Sequence, residues 1–156
     1  MSPHPASLTG SAAFLLSKVG LEASRRFRAA LAPLGLEPRH FSLMRHVAAA
    51  EGQTQQALGD ALGIPKSRMV ALVDDLEARG LIERRLRTDD RRARALHLTE
   101  EGCDVLEHAQ QIEADHNAKL TGSLSRAEYE QLVEVLQRLA AEQDLDPEVH
   151  PGLREG

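Results

Sequence analysis

Apolar residues recur every three or four positions along most of this chain, and the places where that rhythm breaks outline its working part. From residue 11 to 34, Ala12, Leu15 or Leu16, Val19, Ala23, Phe27, Ala30 or Leu31 and Leu34 follow the helical period. Lys18, Glu22, Arg25, Arg26 and Arg28 occupy the other side, and Pro33 and Gly35 end the helix. Pro38 opens a second helix with Phe41, Met44, Val47 and Ala48 inward, closing near Gly52. Two short helices follow. Thr54 is placed to cap the first, which carries Ala57, Leu58, Ala61 and Leu62. Gly63 makes the turn, and Pro65 suits the first turn of the second, where its missing N–H is harmless. That helix holds Met69, Val70, Leu72, Val73 and Leu76 and stops at Gly80.

The period then changes. Leu81–Arg87 and Ala93–Leu98 read as two strands around Thr88, Asp89, Asp90 and Arg91, a hairpin signal. Beyond it the helical rhythm returns, with Thr99 as N-cap and Glu100 and Glu101 where the helix dipole favours negative charge. Val105, Ala109, Ile112, His116 and Leu120 form one stripe. Ser125 through Glu128 is a capping box that opens a last helix with Leu132, Leu136 and Leu139 aligned. Residues 144–156 are polar, with Pro147, Pro151 and two glycines, and are expected to form a flexible tail.

Composition narrows the class. The 156 residues suit one domain, and the absence of Trp, with only Phe14, Phe27, Phe41 and Tyr129 aromatic, points to a helical core of Leu, Val, Ile, Met and Ala. No apolar run approaches a membrane span. Met1 to Pro5 lacks the basic and apolar regions of a secretory signal. The one cysteine, Cys103, cannot make an internal disulfide, which suits a cytoplasmic protein.

The net charge of −5 at first argues against nucleic acid, but its distribution reverses that. Residues 1–63 carry +2, residues 64–98 carry +3 and residues 99–156 carry −10. Six arginines lie between Arg84 and Arg94 against two aspartates. Phosphate binding depends on that local field rather than on the total.

Helix, glycine turn, helix, glycine and basic hairpin in this order make a winged helix-turn-helix over roughly residues 53–98. Its second short helix fits a major groove with its N-terminal residues, Lys66, Ser67 and Arg68, toward the base edges. Thr54 at the first helix joins them as a candidate DNA contact. The hairpin arginines can reach backbone and minor groove, whose negative potential attracts guanidinium.

Two stretches resemble the MarR (multiple antibiotic resistance regulator) family of bacterial regulators. Leu72 to Ile82 looks like the end of that family's recognition helix and the entry to its wing. Asp90 to Gly102 fits the wing signature, Asp-x-Arg followed by an apolar strand and Leu-Thr-x-x-Gly. Leu34 to Pro38 is similar to the family's connection between its first two helices. The resemblance implies a mainly α fold with a small β-hairpin wing, residues 38–98 reading DNA and residues 11–34 and 99–143 dimerising, in one intertwined domain. It implies that Arg92 enters the minor groove, that Asp90 holds the turn and orients its neighbours, and that Arg91 and Arg94 meet phosphates. One departure stands out: many members carry an arginine on the recognition helix where this chain has Ala71.

The resemblance further implies a sequence-specific, homodimeric repressor on a pseudo-palindromic double-stranded operator, responsive to a small aromatic or lipophilic effector. His40, Phe41 and Met44 would lie near the effector crevice; the competing reading makes Phe41 and Met44 core and His40 surface. A redox sensor would need an activated cysteine, and Cys103 reads better as a buried small hydrophobe. A metal sensor would need converging ligands; His108 and His116 lie eight apart, with His116 on the apolar stripe, and no metal or cofactor is expected. No nucleophile elbow, phosphate loop or metal pair supports an enzyme. A winged-helix protein-interaction module is the alternative from another class, although it has no reason to keep Arg91, Arg92 and Arg94 around Asp90.

Overall fold

In the computed structural model, which describes residues 10–155, six helices surround one hairpin. The stretch Met1 to Pro5, where no secretory signal is expected, lies outside the described residues. Helix α1 (Ala12–Leu31) runs into a short 3-10 turn (Ala32–Leu34) that ends on Gly35, in the left-handed region at φ 67°. Helices α2 (Pro38–Ala49), α3 (Gln55–Leu62) and α4 (Lys66–Ala78) follow, then strands β1 (Ile82–Leu86) and β2 (Arg94–Leu98), and the long helices α5 (Glu100–Thr121) and α6 (Arg126–Glu142).

The local chemistry sets the boundaries. Thr54 Oγ1 accepts from the Ala57 amide at 3.1 Å to start α3, and Gly63, at φ 65°, ends it. Pro65 stands one place earlier than expected, at the N-cap of α4 rather than inside its first turn. The Leu-Thr-x-x-Gly sequence is a joint between the hairpin and α5. Thr99 Oγ1 donates to the Gly80 carbonyl at 2.6 Å and accepts from the Gly102 amide at 2.9 Å. Gly102 is required there, because a Cβ would overlap the Leu81 carbonyl.

The strands pair antiparallel from Ile82 opposite Leu98 to Leu86 opposite Arg94. The segment before α3 adds a bridge, Thr54 against Ala95, with the Leu96 amide donating to the Gln53 carbonyl at 2.9 Å. Wing and helix-turn-helix are thus one unit. Its core holds Leu43, Met44 and Val47 of α2, Met69, Val73 and Leu76 of α4, and Ile82 and Leu96 of the strands, all nearly free of solvent.

The long helices contrast with this. Helix α6 buries no residue, and α1 buries only Leu31. Phe14, Leu15, Leu16 and Val19 of α1, Leu120 of α5, and Leu132, Leu136 and Leu139 of α6 are all exposed.

Three further expectations are corrected. The segment from residue 144 is not a free tail: a second 3-10 turn (Pro151–Leu153) brings Leu153 and Val149 into the core, at 1% and 5% exposure. Asp146 Oδ1 accepts from the Glu148 and Val149 amides, and the two prolines restrict the unfolded chain, so a segment rich in turn formers is ordered. Cys103 is exposed rather than buried, because Gly102 and Leu106 take the inward positions of the first turns of α5. Val70, counted with the apolar stripe of α4, faces outward at 37% exposure.

Candidate nucleic-acid interface and crevice

At 100° per residue, α4 separates its side chains cleanly. Met69, Leu72, Val73 and Leu76 point into the core, while Ser67, Val70, Ala71 and Asp74 line the outward face, with Lys66 exposed at its start. These outward residues are short, as close approach to base edges requires, and Val70 and Ala71 offer methyls for thymine. Sequence reasoning missed Val70, although its helical phase relative to Ser67 and Ala71 carried the signal.

Arg68 falls on a third side, shared with Leu72 and Asp75, which faces α2 and the C-terminal segment. Its Nε donates to the Leu153 carbonyl at 2.9 Å and its Nη2 to the Gly152 carbonyl at 3.0 Å. The structure therefore corrects its expected place: Arg68 is held away from the outward face of the helix. Thr54, with its hydroxyl capping α3 and its backbone paired to the wing, sits at the junction of α3 and the hairpin.

The six hairpin arginines divide by partner. Arg84, 19% exposed, is a structural tie: it donates to Gln55 of α3 at 3.0 Å, to Asp74 of α4 at 2.6 Å and to Glu77. Arg85 pairs with Glu83, and Arg87 with Asp89 at 2.5 Å. Among the described residues, Arg91, Arg92 and Arg94 pair with no carboxylate, and all three are exposed. The turn that presents them is closed by Asp90, whose Oδ1 accepts from the Arg92 amide at 2.9 Å, and by the Ala93 amide donating to the Asp90 carbonyl at 3.1 Å. Two guanidinium groups in the turn and a third at the start of β2 thus stand without a carboxylate partner among the described residues, on a hairpin that Arg84 anchors to both short helices.

On the opposite side of α2 lies a crevice of about 950 Å³, walled by α1, α2, the start of α4 and the C-terminal segment. Phe27 and Phe41 meet edge to face in its wall, with ring centres 5.7 Å apart, and the Arg45 guanidinium lies 5.5 Å over Phe41. Arg39 and Arg45 pair with Glu37 and Glu113, while Arg28 pairs with no carboxylate among the described residues. Of the three residues expected here, only Phe41 lines the crevice. Met44 is fully buried core.

His40 is buried, not surface, and serves a different purpose. Its Nδ1 accepts from the Glu37 amide at 3.1 Å, completing the capping box of α2, and its Nε2 lies 3.1 Å from Asp75 Oδ2. The acceptor role of Nδ1 assigns the neutral tautomer with the proton on Nε2. Burial lowers the His40 pKa, and Arg79 adds to the effect against the pull of Asp75. His46, on the crevice wall, is lowered by burial and by Arg45. His116 stacks on Phe27 at 5.4 Å, the packed role its place on the stripe suggested, and His108 is exposed on the same helix.

Comparison with known proteins places this geometry. The sequence model of the MarR family matches residues 34–93, which contain the helix-turn-helix and most of the wing. A protein of Thauera aromatica described as a transcriptional regulatory protein for the hcr operon is 31% identical over 134 residues, covering 85% of this chain and 81% of its own. Among solved structures, the transcriptional repressor CouR bound to a 23-mer DNA duplex is 30% identical, with a TM-score of 0.74 over 90% of this chain and 99% of that one. CouR of Rhodococcus jostii RHA1 bound to p-coumaroyl-CoA is 32% identical, with a TM-score of 0.70 over 86% and 94%. MarR of E. coli complexed with operator DNA, at 24% identity and a TM-score of 0.68 over 80% and 90%, shares the fold.

Proposed function

This chain belongs to the MarR family of transcription regulators, and on that premise we propose that it is a homodimeric, ligand-responsive repressor of a pseudo-palindromic operator. The observation that carries the reading is the division of charge on the wing. Arg91 and Arg92 stand in the turn that Asp90 closes and Arg94 opens β2, all three without a carboxylate partner among the described residues, while Arg84 is tied to both short helices and Arg85 and Arg87 pair with carboxylates beside them. In this reading Arg92 enters the minor groove, and Arg91 and Arg94 meet phosphates. Lys66 and Ser67 approach the major groove with Val70 and Ala71, so base discrimination falls to short and apolar side chains.

Dimerisation is supported by the long helices. Exposed leucines on α6 together with Phe14, Leu15, Leu16 and Val19 on α1 leave an apolar surface that the single chain does not cover. A second copy would cover it and set two α4 helices about one turn of DNA apart. Crevice chemistry, two aromatic rings beside Arg28 and Arg45, suits an aromatic acid or its thioester. No described helix is long and apolar enough to cross a membrane, and a cytoplasmic regulator without catalytic activity fits these features.

Selection of bound sequences from a random duplex pool, repeated with p-coumaroyl-CoA and simple aromatic acids, tests the reading. The expected result is a two-fold symmetric motif whose binding weakens with one of these compounds. A pool that shows no enrichment at low salt would contradict it and favour a protein-interaction module.

A further inference from the structure

We propose that residues 144–155 form a clasp that fixes the start of α4 against the end of α3 and closes the crevice behind them, with Arg68 and Arg154 as its positioning residues. The inference rests on the reading of α4 as the groove-entering helix.

Two arginines cross the same seam in opposite directions. Arg68, in the first turn of α4, donates to the Leu153 and Gly152 carbonyls of the C-terminal segment. Arg154 reaches back, and its Nε donates at 2.7 Å to the carbonyl of Leu62, the last residue of α3. That carbonyl is one of the four that a helix C-terminus leaves without an intrahelical partner, and a cation there is also favoured by the helix dipole. The Arg154 side chain lies over Gly63, so close that a Cβ on that glycine would be 3.1 Å from Nε. Asp146 accepts from Arg154 Nη2 at 2.8 Å and also holds the Glu148 and Val149 amides, so one carboxylate shapes the segment and aims its arginine.

Leu153 locks the arrangement from within the core, beside α2. The turn between α3 and α4 is therefore bracketed on both sides by one short segment. The same segment walls the crevice through Pro147, Glu148, His150 and Gly152, and Arg68 lines it as well. A molecule that fills the crevice meets the clasp and the first turn of α4 at once. An anionic group near Arg68 would compete with two neutral carbonyls, and charge-assisted bonds are the stronger kind. The clasp is held by a few side-chain bonds, which puts its release at the low-energy end of local opening.

The test uses the full-length protein carrying Arg154→Gln, which leaves the apolar core intact, and in parallel Leu153→Asp. Hydrogen exchange reads the clasp, and titration of the selected duplex over a range of salt reads the function. The expected result is faster exchange at the Val149 and Leu153 amides, operator affinity at least about tenfold weaker, and an unchanged salt slope, because no phosphate contact has been removed. Faster exchange with equal or tighter operator binding would overturn the proposal. So would a shallower salt slope for Arg154→Gln, which would make Arg154 a phosphate ligand. A wild-type chain that enriches no duplex would instead overturn the functional reading, and unchanged exchange in both variants would overturn the clasp independently.

Discussion

The wing and helix α4 use their charged residues in opposite ways. In and beside the wing turn, Arg91, Arg92 and Arg94 pair with no carboxylate among the described residues, and the turn is set by one aspartate. On α4 the outward face is short and largely uncharged, its arginine is turned inward to the C-terminal segment, and Asp74 is neutralised by Arg84 from the wing. Charge counted along the sequence is therefore a poor guide to charge available for DNA. Of the nine basic residues between 64 and 98, Arg68, Arg79, Arg84, Arg85 and Arg87 already have internal partners. The remaining positive field comes from the wing tip and Lys66. In the proposed reading the wing supplies affinity and α4 supplies shape.

The sharpest way to break this division is to remove the wing-tip charge. Replacing Arg91, Arg92 and Arg94 together by Ala should weaken operator binding on the order of a hundredfold at physiological salt. The dimer should be unaffected, which analytical ultracentrifugation would check. Arg84→Ala should act differently, through the fold. It removes a half-buried guanidinium bonded to Gln55, Asp74 and Glu77, and should lower unfolding stability by ~1–3 kcal/mol. Denaturant titration would show this; a stable protein with lost DNA binding would move Arg84 into the interface.

Gly102→Ala tests the joint that aims the wing. The added methyl would overlap the Leu81 carbonyl, and overpacking of this kind costs ~1–3 kcal/mol. Thermal unfolding would measure it, and an unchanged midpoint would mean that the hairpin and α5 are more loosely joined than the Thr99 bonds indicate.

A smaller effect is expected from pH. The folded-state pKa of His40 lies below its ordinary 6.5 because burial opposes the charge, with Arg79 and Arg39 adding to this against Asp75 and Glu37. His46 is lowered in the same direction, by burial and Arg45 against Glu148 and Asp146. The unfolded chain therefore takes up protons first as pH falls. Stability should be full above pH 6.5, decline as pH drops below it, and level off below the folded-state values. In denaturant titrations at several pH values, His40→Asn should keep an acceptor for the Glu37 amide and flatten part of that decline. An equally steep decline would assign the acid sensitivity elsewhere.

Much of the fold was legible because periodicity and caps agree. Thr54, Gly63, Gly80, Thr99 and Ser125 each mark a boundary with a local bond or a left-handed turn, and none needs a distant partner. What was not legible depends on tertiary contact. The C-terminal segment reads as loop by composition, and it is ordered by tertiary contact: Val149 and Leu153 fill a hydrophobic slot beside α2, while Arg68 bonds across to it and Arg154 from it. Arg68 and Arg84 look like their free neighbours in sequence, yet helix phase and strand position deliver them to carbonyls and carboxylates. His40 pairs with Asp75, 35 positions away, a contact no local pattern announces.

In the proposed reading Arg91, Arg92 and Arg94, not the basic residues in general, carry the electrostatic part of DNA binding. The most direct measurement is the slope of log affinity against log salt for the selected duplex, compared between wild type and the chain with Arg91, Arg92 and Arg94 replaced by Ala. Each lost phosphate contact should reduce the slope by about 0.9. In a dimer the triple replacement should thus flatten it by several units, while Arg85→Ala leaves it within error. A slope unchanged by the triple replacement, or reduced as much by Arg85→Ala, would rule out this role for Arg91, Arg92 and Arg94.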